Sequence, residues 1–222
     1  MNKKKMMVAV SVAVGVVASG ALVGASPVVA KTYDPPTCYP SCQGANLSSK
    51  IFNKASMPNG NFDNANVSKS YFVHATLTES TFVGADITAT IFNHASMTNV
   101  DLSGAVQRAV SQPPAPEPGV PTQNLEFTQA TLTYANLSGA NLNGASLFKA
   151  KAQSANLSGA NLNGASLKKA TLTGANLTNA NLTGANLKKA NLTNATITGA
   201  IFTNAKFKKT ICPNGKKTNT GC

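Results

Sequence analysis

The chain has 222 residues, with 19 lysines and arginines against seven acids for a formal net charge of +12; it has four tyrosines, four cysteines and no tryptophan. The charge is unevenly placed. Residues 31–126 hold five basic and seven acidic side chains, whereas residues 127–222 hold 11 lysines and no acid. That excludes carboxylate catalysis and carboxylate metal ligands from the second half, confines any electrostatic role to it, and leaves few aromatic platforms for stacking on nucleic-acid bases.

Residues 1–30 open with Lys3, Lys4 and Lys5, continue as an uncharged run rich in Val and Ala from Met6, and end on Val28, Val29 and Ala30. This pattern reads as a secretory signal peptide, so the protein is expected to be secreted or held at the cell surface, with no membrane span after cleavage. The alternative is an uncleaved anchor, because the uncharged run from Met6 to Ala30 is long enough to cross a bilayer. No cysteine follows the run at a lipid-attachment position. Residues 31–44 form an N-terminal cap containing Cys38 and Cys42.

From residue 45 to 104 an apolar side chain returns every fifth residue, from Leu47, Phe52 and Met57 onward to Leu102. Such residues would spiral around an α-helix, where five steps advance about 500°. In an extended chain an odd period flips faces at each return, so the chain must turn a corner in every repeat. The stretches 135–149 and 155–169 differ only at Phe148 against Lys168, which sets a longer period of four pentapeptides. Four pentapeptides thus make one coil of a square tube, with successive coils stacked roughly 4.8 Å apart. Within this block Phe52, Phe72 and Phe92 should share one interior column, with Phe62 and Phe82 on the opposite wall. His74 and His94 fall in one outward column with Lys54, a weak candidate for a two-histidine metal site that lacks a carboxylate neighbour.

Residues 105–124 are a proline-rich loop or linker. Leu102 and Phe127 are separated by a whole number of pentapeptides, five, so a loop one coil long keeps the phase and leaves a single tube; a flexible tether would instead leave two rods.

The second block spans residues 125–211. One of its faces carries Lys149, Lys168, Lys169, Lys188, Lys189, Lys206, Lys208 and Lys209, a candidate site for an extended polyanion. Two neighbouring faces carry Asn136, Asn156 and Asn176, and Asn141, Asn161 and Asn181. T-L-T recurs at 131–133 and 171–173, but K-A-Q interrupts it at 151–153, so no unbroken threonine array forms. Ala152 stands where leucine is expected and should leave a gap in the core.

The tail, residues 212–222, begins and ends on Cys212 and Cys222. A tube of roughly seven coils puts its ends about 35 Å apart, beyond the reach of a disulfide or of one shared zinc ion. The expected bridges are therefore local, Cys38–Cys42 and Cys212–Cys222, and they suit an oxidising compartment.

The repeat A-N-L-S-G, A-N-L-N-G, A-S-L-K-K resembles the A-[DN]-L-x-x motif of the pentapeptide-repeat family, and the likeness covers 45–102 and 125–212. The resemblance implies an all-β fold, a right-handed quadrilateral β-helix, and an exported bacterial member of the family. Members that bind topoisomerases as negatively charged mimics of duplex DNA make that role a remote alternative, because the long block here is positive and carries an export signal. No nucleophile, base and orienter group together and no cofactor is implied, and the scarcity of aromatics speaks against a nucleic-acid ligand. The expectation is an exported structural or binding module whose lysine ladder binds an anionic cell-surface polymer; the alternative is a passive spacer with no specific ligand. No feature of the sequence names a protein partner.

Overall fold

The computed structural model describes residues 34–107 and 125–222, which lie in one compact unit. Residues 1–33, which include the expected signal segment, and residues 108–124 of the proline-rich stretch fall outside the described residues. The chain forms a right-handed quadrilateral β-helix whose sides pair as isolated parallel bridges, each joining a residue to its equivalent one coil on, as in Asn136↔Asn156↔Asn176. The two named strands, β1 (Thr210–Ile211) and β2 (Lys217–Thr218), make a short antiparallel hairpin at the C-terminal end.

Pentapeptides in the body of the second block repeat one backbone pattern. Around Leu157, the leucine N–H donates to Asn176 O at 2.7 Å in the next coil, and the Asn156 N–H donates to Ala135 O at 2.9 Å in the previous one. Ala160 N–H then closes the corner on Leu157 O at 3.1 Å. The residue after the central leucine has no ladder partner for its N–H. The asparagine two places earlier supplies one: Asn176 Oδ1 accepts from Thr178 N at 3.0 Å, and Asn191 Oδ1 from Thr193 N at 3.0 Å. The Asn of A-N-L therefore covers a backbone donor that the ladder leaves open.

The central residues and the small residues two places before them fill the tube and exclude water. Where serine or threonine replaces that small residue, its hydroxyl is paired: Ser80 Oγ donates to Met57 O at 2.8 Å and accepts from Gly60 N at 3.1 Å. Phe52, Phe72 and Phe92 stack with centroids 5.0 and 5.1 Å apart, and Phe62 stacks on Phe82 at 4.7 Å. Ala152 is fully buried between Leu132 and Leu172.

The two blocks form one continuous ladder, but in a register different from the one expected. Phe92 N–H donates to Glu126 O at 2.7 Å, and the bridges Ile91↔Glu126, Ser96↔Thr131 and Asp101↔Asn136 each step across seven pentapeptides instead of four. The insertion thus adds three pentapeptides, not a full coil, and Phe127 sits directly over Phe92 with centroids 5.1 Å apart. A count in steps of one coil across the insertion consequently places every column one face out of line. The physical reason is that ladder closure requires only a whole number of pentapeptides, and three satisfy it as well as four.

Both ends are tied locally. Cys38–Cys42 and Cys212–Cys222 are bonded, with Cα atoms 4.9 and 5.3 Å apart. Among the described residues no helix is long and apolar enough to cross a membrane.

Candidate polyanion-binding face

One side of the tube is built on Phe52, Phe72, Phe92, Phe127, Leu147, Leu167, Leu187 and Phe207, which the bridges Ile51↔Tyr71↔Ile91↔Glu126↔Ser146↔Ser166↔Asn186↔Lys206 hold in register. The structure brings all eight candidate lysines to this side. Lys168, Lys188 and Lys208 follow the central residue, Lys149, Lys169, Lys189 and Lys209 occupy the corner after it, and Lys206 precedes Phe207. Lys168, Lys188, Lys189, Lys208 and Lys209 line a shallow groove of about 420 Å³.

The corner residues lie in the left-handed region, with φ of +58° at Lys149, +62° at Lys169, +60° at Lys189 and +53° at Lys209. From Gly159 to Asn204 every other corner is Gly or Asn, the residues that tolerate this conformation. Within this stretch lysine is the exception and recurs on one side, whereas in the first block Lys69 holds a left-handed corner of another side.

Phe148 was missed as a functional candidate because its twin position holds Lys168. Its outward ring lies beneath three ammonium groups, with Lys149, Lys168 and Lys169 Nζ at 5.3, 5.9 and 5.8 Å from its centroid. The ring gathers the first lysines of the ladder by cation–π attraction. The signal was legible: an aromatic at the single mismatch between two otherwise identical stretches.

The asparagine columns fall on two adjoining sides. Asn141, Asn161 and Asn181 border the lysine side, whereas Asn136, Asn156 and Asn176 lie opposite it. Both columns are laddered by side-chain bonds, for example Asn156 Nδ2 to Asn136 Oδ1 at 3.2 Å and Asn161 Nδ2 to Asn141 Oδ1 at 3.2 Å. On the remaining side Lys151 stacks between Thr131 and Thr171 and interrupts the hydroxyl columns.

His74 and His94 stack with centroids 4.7 Å apart and planes 19° apart. Among the described residues no group of three or more His, Cys, Asp or Glu is placed to hold a metal ion. The register across the insertion moves this pair relative to the sequence count. His94 N–H donates to Thr128 O at 3.0 Å, and Gln129 N–H to Phe148 O at 2.9 Å. Lys54, His74, His94 and Gln129 therefore run into Lys149, Lys169, Lys189 and Lys209 as a single corner column.

A filled square tube with a basic outer strip defines a repeat protein that presents surfaces. The family model for pentapeptide repeats matches eight copies over residues 68–104, 126–164 and 175–211, and the chain belongs to that family. Among solved structures it is similar to HetL, a pentapeptide repeat protein involved in heterocyst differentiation regulation in the cyanobacterium Nostoc sp. strain PCC 7120, at 27% identity over 80% of this chain and 81% of that one, with a TM-score of 0.34. It is also similar to a pentapeptide repeat protein of the Arabidopsis thaliana thylakoid lumen, at 35% identity over 50% of this chain and 63% of that one, with a TM-score of 0.32. No match is found among curated proteins.

Proposed function

We propose that the protein is an exported, non-enzymatic module that holds a linear anionic polymer of the cell surface along its lysine side. The observation that carries this reading is the placement of Lys149, Lys169, Lys189 and Lys209 at left-handed corners, where Gly or Asn would be less strained, on one side of four. A passive solubilising role would be served as well by lysines at unstrained outward positions spread over all sides. The strip is only two or three side chains wide, which suits a linear polymer better than a planar lipid surface. The flanking residues are Asn, Ser and Thr, with Phe148 the single aromatic of the ladder, so base stacking contributes little. The lysine-led N-terminal run and the two disulfides support a position outside the cytoplasm.

The test is retention of the disulfide-bonded protein on purified cell envelope across a salt series, beside a variant with Lys168, Lys188 and Lys208 changed to Gln and Lys169, Lys189 and Lys209 changed to Asn. Salt-dependent retention that disappears in the variant is expected, because lysines bound to the polymer release its condensed counterions. Equal retention of the two proteins would make the lysines a solubility device and the protein a passive spacer.

A further inference from the structure

The first block is net acidic, yet its acids avoid the side that continues the lysine ladder. Asp63 and Asp101 flank Phe62 and Leu102 on the opposite side, Asp86 precedes Ile87, and Glu79 sits at the corner after Leu77. The strip below the ladder is bordered instead by Asn53, Val73 and Asn93 on one flank and Ile51, Tyr71 and Ile91 on the other. Glu126 is the single acid on this side among the described residues, and its Oε2 accepts a hydrogen bond from Asn93 Nδ2 at 2.6 Å, which holds it against the wall.

Along this acid-poor strip the corner column presents Lys54, His74, His94 and Gln129, all exposed and all with φ between +57° and +61°. Each carries an N–H donor that a phosphate or sulfate oxygen can accept, the imidazoles through whichever ring nitrogen holds the proton. The two stacked rings keep their edges side by side along the tube axis, at the spacing of one coil.

We infer that the bound polymer does not stop at the lysines but runs the full corner column from Lys209 to Lys54, with the His74–His94 pair and Lys54 as its N-terminal contacts. This rests on the lysine side being a polyanion site, and it adds the length of chain that the site selects. From Lys54 to Lys209 the column makes seven steps of roughly 4.8 Å, about 34 Å, whereas the ladder from Lys149 to Lys209 covers three, about 14 Å. A short polyanion fills the ladder alone. A longer one gains contacts across the first block, so affinity rises with chain length until the column is spanned and then levels off.

The experiment uses inorganic polyphosphate in two size fractions, one shorter than the ladder and one longer than the whole column, titrated at fixed salt. Three proteins are compared: the wild type, a variant carrying Lys54→Asn, His74→Asn and His94→Asn, and the six-lysine variant described above. Asparagine is chosen because it accepts the left-handed corner, and a melting curve for each protein checks that the tube is intact. The first variant is expected to match the wild type on short chains and to bind long chains about fivefold to tenfold more weakly. Equal binding of long chains by wild type and first variant would overturn the inference and end the polymer at Lys149. Undiminished binding of short chains by the six-lysine variant would overturn the underlying polyanion reading, and the longer site with it.

Discussion

The corner lysines set stability against binding, and the conflict can be measured. Lys169, Lys189 and Lys209 hold φ of +62°, +60° and +53°. A left-handed conformation costs an ordinary L-residue about 1–2 kcal/mol, and asparagine, which bonds its own backbone there, recovers about half of that. The triple change Lys169→Asn, Lys189→Asn and Lys209→Asn should therefore stabilise the tube by about 2 kcal/mol, before any relief from separating like charges one coil apart. For a protein of this size that raises Tm by about 4–8 °C. Thermal unfolding followed by circular dichroism, with disulfides intact and at two salt concentrations, separates the two contributions: the backbone part persists in high salt and the charge part fades. The same variant should lose retention on cell envelope. A Tm that stays level or falls in both salts would refute the argument that these corners carry strain tolerated for the sake of charge.

Two core substitutions probe the tube itself. Ala152 N–H to Thr171 O is 2.8 Å, close to the 2.7 Å of Leu172 N–H to Asn191 O, so the ladder runs unbroken past the smaller side chain. Ala152→Leu should fill the space and stabilise by about 2 kcal/mol, read as a higher Tm; a lower Tm would mean the core has no room there. Gly60 occupies a position that is Ala55 and Ala65 in the adjoining repeats, yet a Cβ built on it would meet the buried Phe62 ring at 2.5 Å. Gly60→Ala should therefore destabilise by about 1–3 kcal/mol although it restores the commonest residue of the motif, and an unchanged Tm would show that the ring can move aside freely.

The sequence alone determined the repeat, the inward side chains and the local disulfides, because each follows from covalent spacing. An apolar residue at every fifth position admits one alternation of wall and corner, and four pentapeptides return the chain to the same side. Within each block this sufficed to place Phe52 under Phe72 and to gather the lysines from Lys149 to Lys209 on one side. What the tertiary structure decided was how the blocks meet. Insertions of three or four pentapeptides both preserve the phase of the repeat, and only the hydrogen bonds from Phe92 to Glu126 and from His94 to Thr128 choose between them. One signal was present in the sequence: Phe127 continues the phenylalanine column when counted seven pentapeptides on from Phe92, and ring stacking favours that register. The choice shifts every column by one side, and it turns a separate histidine pair and a separate lysine ladder into one continuous strip.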